Sequence, residues 1–85
     1  MAVTTIAEWL QRQAHKRRLP LYIAAERAGV SSGFLYRVAA GKRKIRPKTL
    51  ETVARAGLGI TDEALIREGM LIAAGYEPFK LQERR

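Results

Sequence analysis

The stretch GVSSGFLYRVAAGKRKIRPK, Gly29 to Lys48, sets a glycine, two serines and two aromatics ahead of a dense run of cations. Lys42, Arg43, Lys44, Arg46 and Lys48 fall within seven residues. The chemistry these types offer is anion binding. A helix N-terminus presents free N–H groups, and guanidinium and ammonium groups donate to phosphate oxygens. Other chemistries lack their residues. His15 is the only histidine and lies beside Lys16, Arg17 and Arg18, as an exposed helix residue would. There is no cysteine, no His/Cys/Asp cluster with metal-ligand spacing and no Gly-rich loop leading into Lys-Ser/Thr. The serines have no partner base, and Glu8 and Glu26 read as a helix cap and a surface charge. Neither catalysis nor a bound cofactor or metal is expected.

The formal net charge of +8 is unevenly distributed along the 85 residues. Residues 1–48 carry eleven Lys/Arg against two acids, whereas residues 49–85 carry five against six. A merely solubilising surface does not require such a division. A field of this kind attracts polyanions, chiefly nucleic acid, and less often an acidic membrane or protein surface. No apolar run approaches the roughly 18 residues of a membrane span. Met1 to Leu10 lacks the basic start and apolar run of a signal peptide. With no cysteine for disulfides, the expected compartment is the cytoplasm.

The elements that position these residues read as five short helices. Thr5 and Glu8 form a capping box, after which Ile6, Trp9, Leu10 and Ala14 recur at helical spacing to about Arg17. Pro20 suits the first turn of a second helix, LYIAAERAG, which stops at Gly29. Ser31 or Ser32 caps a third, SGFLYRVAA, closed by Gly41. Pro47 opens a fourth, with Leu50, Val53 and Ala54 inward and Gly57 at its end. Thr61 is the expected cap of a fifth, which runs to Gly75 with Gly69 as a weak point. The prediction is an all-α, five-helix domain over residues 1–75, followed by a tail over 76–85. Within that tail, FKLQ is a candidate short strand at an interface.

Between the second and third helices, Ala25, Gly29, Val30, Leu35 and Val38 fall at the spacings of a tight helical corner. Ala25 is small where the third helix crosses, and Gly29 reverses the chain with positive φ. From about Thr5 to Gly75 the chain resembles the lambda-repressor-like, Cro-type helix-turn-helix (XRE) family of bacterial and phage transcription regulators. AERAGVSSGFLYRVAAGKRKIRPKTLETVARAGLGI carries the likeness: the A-x-x-x-G-V-S turn, an aromatic-Leu pair, a helix-ending glycine with basic neighbours, and a Pro-led fourth helix. The resemblance implies five helices, a recognition helix at about Ser31–Ala40 in the major groove of double-stranded DNA, and a two-fold dimer on a palindromic operator. Pro20 and Leu21 depart from it, standing where members have a polar cap and then Gln. Ala39 stands where an acid is frequent.

With Leu35 and Val38 committed inward, Ser32, Gly33, Tyr36 and Arg37 line the outward face of the third helix. The resemblance places Ser32, Gly33 and Arg37 at base edges. Arg37 is the leading reader, since its fork takes guanine O6 and N7 together. Gly33 is read either as close backbone approach to DNA or as tolerated in a first turn. Phe34 either lays its ring on a thymine methyl or covers the helix start. Tyr22 either reaches a phosphate or packs. Ser31, Lys42, Arg43, Lys44, Arg46 and Lys48 are the other expected phosphate contacts, which hold the protein without reading sequence.

Leu65, Ile66, Met70, Leu71 and Ile72 exceed what one helix face needs for a small core, so the surplus is expected to form a homodimer interface. The same apolar surplus fits an alternative, a protein-interaction module such as an antitoxin or adaptor. The basic loop alone would also permit RNA binding. The leading expectation is a small DNA-binding regulator of the repressor, Cro-like or controller type.

Overall fold

The computed structural model describes residues 5–75, and five α-helices account for most of them: α1 (Ile6–Lys16), α2 (Leu21–Ala28), α3 (Ser32–Ala39), α4 (Pro47–Thr52) and α5 (Glu63–Ala73). Among the described residues there is no strand. The tail over 76–85, including FKLQ, lies outside them.

Local chemistry sets most boundaries. In α1 the Thr5 hydroxyl accepts from the Glu8 N–H at 3.1 Å, and the Glu8 carboxylate accepts from the Thr5 N–H at 3.2 Å. The helix ends with Arg18 in the left-handed region at φ 52°, while the Leu19 N–H closes on the Ala14 carbonyl at 3.0 Å. Pro20 is the N-cap residue of α2 rather than part of its first turn. Gly29 ends α2 at φ 75°, and the Val30 N–H donates back to the Ala25 carbonyl. Ser31, not Ser32, caps α3: its hydroxyl accepts from the Phe34 N–H at 3.1 Å.

One cap departs from expectation, and one helix changes its winding before its expected end at Gly57. Asp62, rather than Thr61, caps α5, its carboxylate accepting from the N–H groups of Ala64 (3.0 Å) and Leu65 (3.3 Å). The fourth helix does not run uniformly to Gly57. After Thr52 it widens into a π-helical segment, Val53–Gly57, closed by Leu58 N–H to Val53 O at 2.8 Å and Ile60 N–H to Ala54 O at 2.9 Å. The left-handed residue there is Gly59, at φ 71°. Gly57 has another reason to be glycine: a Cβ would stand 2.6 Å from the Ala24 carbonyl oxygen.

The core is built around Trp9, Leu10, Leu35, Val38, Leu50, Val53 and Ile66, each less than 2% exposed. α2 packs against α3 on one side and the π-helical segment on another; α5 packs against α4 and α1. Gly69 is a seat, not a weak point. A Cβ there would lie 2.6 Å from the Trp9 ring and 2.9 Å from Leu50 Cδ1. Trp9 then donates its indole N–H to Glu68 of the same helix at 3.2 Å. By drawing α5 so close, this contact sinks two of the five residues expected at an interface into the chain's own core. Ile66 (1% exposed) and Ile72 (7%) are core residues of this chain, Leu65 and Met70 are half-buried, and only Leu71 stands exposed.

The acidic half is tied on its surface by Arg55. It donates to Glu51 at 3.0 Å and, through both guanidinium ends, to Glu63 at 2.8 Å. These hydrogen bonds hold the Glu63 carboxyl below its ordinary value. The groups are exposed, so the network orients α5 more than it stabilises the fold.

Gly57→Ala should destabilise the domain by about 1–3 kcal/mol, because backbone must move to admit a methyl group. Arg18→Gly should do the opposite. Relief of about 1–2 kcal/mol of left-handed strain outweighs about 0.5–1 kcal/mol of added chain entropy. Thermal melts report both, at roughly 4–8 °C per kcal/mol in a domain of this size.

Candidate nucleic-acid interface

The exposed face of α3 follows from what the helix buries. Leu35 and Val38 are fully inward and Ala39 nearly so, which turns Ser32, Tyr36 and Arg37 to solvent. Gly33 and Phe34 are half-buried at the start of the helix. The Ala39 carbonyl, near the far end, accepts from the Gln11 side chain of α1. That ties α3 to α1 through a residue that sequence reasoning had not singled out.

The basic loop is held by its one apolar residue. Lys42, Arg43, Lys44 and Arg46 are exposed, but Ile45 among them is 3% exposed and belongs to the core. Gly41, at φ 78°, turns the chain out of α3, and the Lys42 N–H donates back to the Arg37 carbonyl at 2.9 Å. The loop is therefore anchored at both ends beside α3. A single isoleucine inside KRKIR was the available signal for this anchor. Lys48 is exposed in the first turn of α4, and Tyr22, 55% exposed, stands near the start of α2.

Two guanidinium groups have defined neighbours here. Arg43 lies over the Phe34 ring, 5.4 Å from its centroid, while the ring also packs against the core. Arg37 extends back along α3, with its terminal nitrogens 3.8 and 3.9 Å from where a Gly33 Cβ would lie. Those are ordinary contact distances, so Gly33 is not required by packing. The remaining phosphate candidate, Ser31, spends its hydroxyl on the helix cap.

Electrostatically the surface divides as the sequence does. Among the described residues the ion pairs are those of Arg55 in the acidic half. None of the eleven cations in residues 1–48 is ion-paired there, Arg37 and the loop cations included. Such a surface has no internal neutralisation, and its groups repel one another. Groups of three or more potential metal ligands are absent among the described residues, and no described helix is long and apolar enough to cross a membrane. His15 is an exposed residue of α1. The chain matches no protein-family model, no curated protein and no solved structure.

Pro47, Ile66, Met70 and Leu71 line an open groove of about 510 Å³ between α4 and α5, with Arg55, Glu63 and Arg67 around it. Of the five residues assigned from sequence to an interface, this groove gathers Ile66, Met70 and Leu71, not Leu65 or Ile72.

Unpaired like charges should make the fold salt-sensitive in a definite direction. Raising sodium chloride from about 0.02 M to about 0.3 M shortens the screening length from roughly 20 Å to below 10 Å. The melting temperature should rise as repulsion is screened. A fall would mean that the exposed cations are compensated in a way the ion-pair geometry does not contain.

Proposed function

We propose that this chain is a small sequence-specific binder of double-stranded DNA, acting as a transcription regulator of the lambda-repressor-like, Cro-type helix-turn-helix kind. One observation carries the reading: a helix with a polar, arginine-bearing outward face is flanked by an anchored loop of cations with no ion pair among the described residues. In this reading α3 enters the major groove, whose width admits an α-helix. Ser32, Tyr36 and Arg37 face base edges, with Arg37 taking a guanine through both ends of its fork. Lys42, Arg43, Lys44, Arg46 and Lys48 hold phosphates beside the groove, and Tyr22 reaches one from α2. Gly33, with no side chain, lets backbone approach the bases at the start of the helix. No catalytic group or cofactor takes part.

The second copy implied by a palindromic site would sit on α5. The support is narrower than five residues: Leu71 is exposed, and Met70 lines the same groove. Half-sites would then lie about one helical turn apart, roughly 34 Å. The same groove favours a second reading, in which the domain also docks a partner protein, as antitoxins and adaptors do. RNA binding has no separate observation behind it.

Reading and holding separate experimentally. On the duplex that the parent binds most tightly, Arg37→Ala should cost roughly 1–3 kcal/mol and flatten the preference at one base pair. Lys44→Ala should weaken all duplexes alike and reduce the salt dependence by about one ion. Both side chains are exposed and unpaired among the described residues, so melting temperatures should not fall below the parent value. If Lys44→Ala changed the base preference and Arg37→Ala did not, the loop rather than α3 would be the reading element.

A further inference from the structure

We infer that Phe34 is a positioning residue: its ring fixes the guanidinium of Arg43 beside the start of α3, where Arg43 takes a backbone phosphate. The inference rests on the duplex-binding reading and assigns Phe34 a role other than touching a base.

Each link in the arrangement is already ordered in the free protein. The Phe34 N–H is capped by the Ser31 hydroxyl at 3.1 Å, and its ring packs against the core. The chain leaving α3 is fixed by the Gly41 N–H to Val38 O bond (3.0 Å) and the Lys42 N–H to Arg37 O bond (2.9 Å). Ile45, buried two residues beyond Arg43, fixes the other side. Arg43 is thus a side chain on a pinned stretch of backbone, with its guanidinium 5.4 Å from the Phe34 centroid. Lys42 and Lys44 on either side have no such neighbour among the described contacts.

A cation–π contact suits this task because of what it leaves free. It neutralises no charge and takes up no carboxylate or carbonyl, so the guanidinium N–H donors turned away from the ring stay available for phosphate oxygens. Rotamer freedom that an exposed arginine would lose on binding DNA is lost beforehand. The attraction expected of an exposed pair of this kind corresponds to roughly a two- to fivefold change in affinity.

The test is a double-mutant cycle on duplex binding, with Phe34→Leu, Phe34→Tyr, Arg43→Ala and the Phe34→Leu/Arg43→Ala pair. Phe34→Leu should lose roughly two- to fivefold in affinity while keeping the parent's salt dependence, because the charge remains. Phe34→Tyr, which keeps the ring, should bind as the parent does. In the Arg43→Ala background, Phe34→Leu should have no further effect. An equal loss in both backgrounds overturns the assignment, since Phe34 would then act on DNA or on folding without Arg43. Ring-current shifts give a readout that needs neither DNA nor a variant. The Arg43 Cδ and Nε protons of the parent should resonate upfield of their unstructured positions, and shifts at the unstructured values overturn the assignment. If the parent binds no duplex, the reading of the whole site fails, and this inference with it. If the parent binds and the cycle is additive, only this inference fails.

Discussion

The arrangement depends on how closely α2 is held between its two neighbours. Ala24 and Ala25 are at most 1% exposed, and Gly57 comes so near that a single added carbon would meet the Ala24 carbonyl at 2.6 Å. Small residues on one side admit α3, and the missing side chain on the other admits the π-helical segment. A domain of this length has one modest core and no covalent staple, so its stability is marginal by construction. Loosening α2 would therefore disturb more than local packing. It would turn α3 about its axis, and with it the face that Leu35 and Val38 direct outward.

Charge serves two purposes in the same small molecule, and geometry separates them. Arg55 is surrounded by Glu51 and Glu63 and ties the π-helical segment to the start of α5. The cations of the first 48 residues form no such pairs among the described residues. Exposed pairs are weak even when well formed, so neither set holds the fold together; the core does. What differs is availability. A paired guanidinium is occupied, whereas those of α3 and its loop keep their donors for an external anion. Ile45 is essential to this division, because one buried side chain gives a highly charged loop a defined position.

Local features of the sequence were legible because their causes are local. The capping box at Thr5 and Glu8, the reversal at Gly29, the closing Gly41 and the Pro47 start each depend on residues within one turn. The inward commitment of Leu35 and Val38 followed from spacing alone, and it selected the outward residues of the candidate site. Thr61 and Asp62 are both competent caps, and only the path of the chain from Gly59 decides between them. Gly57 does end its helical segment, yet its second role, like that of Gly69, is not legible in the sequence. Within their own helices they resemble a stop and a weak point, but their roles lie against Ala24 and Trp9, 33 and 60 residues away in the chain. Sequence alone places Ile66 and Ile72 among the apolar surplus of α5, because the depth to which the helix sinks is set by that same glycine contact. The pairing of Phe34 with Arg43 depends on the loop's return path, which no periodicity encodes.

In the proposed function the exposed face of α3 reads duplex sequence while the cations around it hold the backbone. Selection of bound duplexes from a random pool, at about 0.15 M salt and with non-specific competitor present, tests this most directly. The expected result is enrichment of one short motif containing a guanine whose preference disappears when Arg37 is replaced. A pool that is retained by the protein but shows no enriched motif would contradict it, leaving a surface that attracts nucleic acid without reading it.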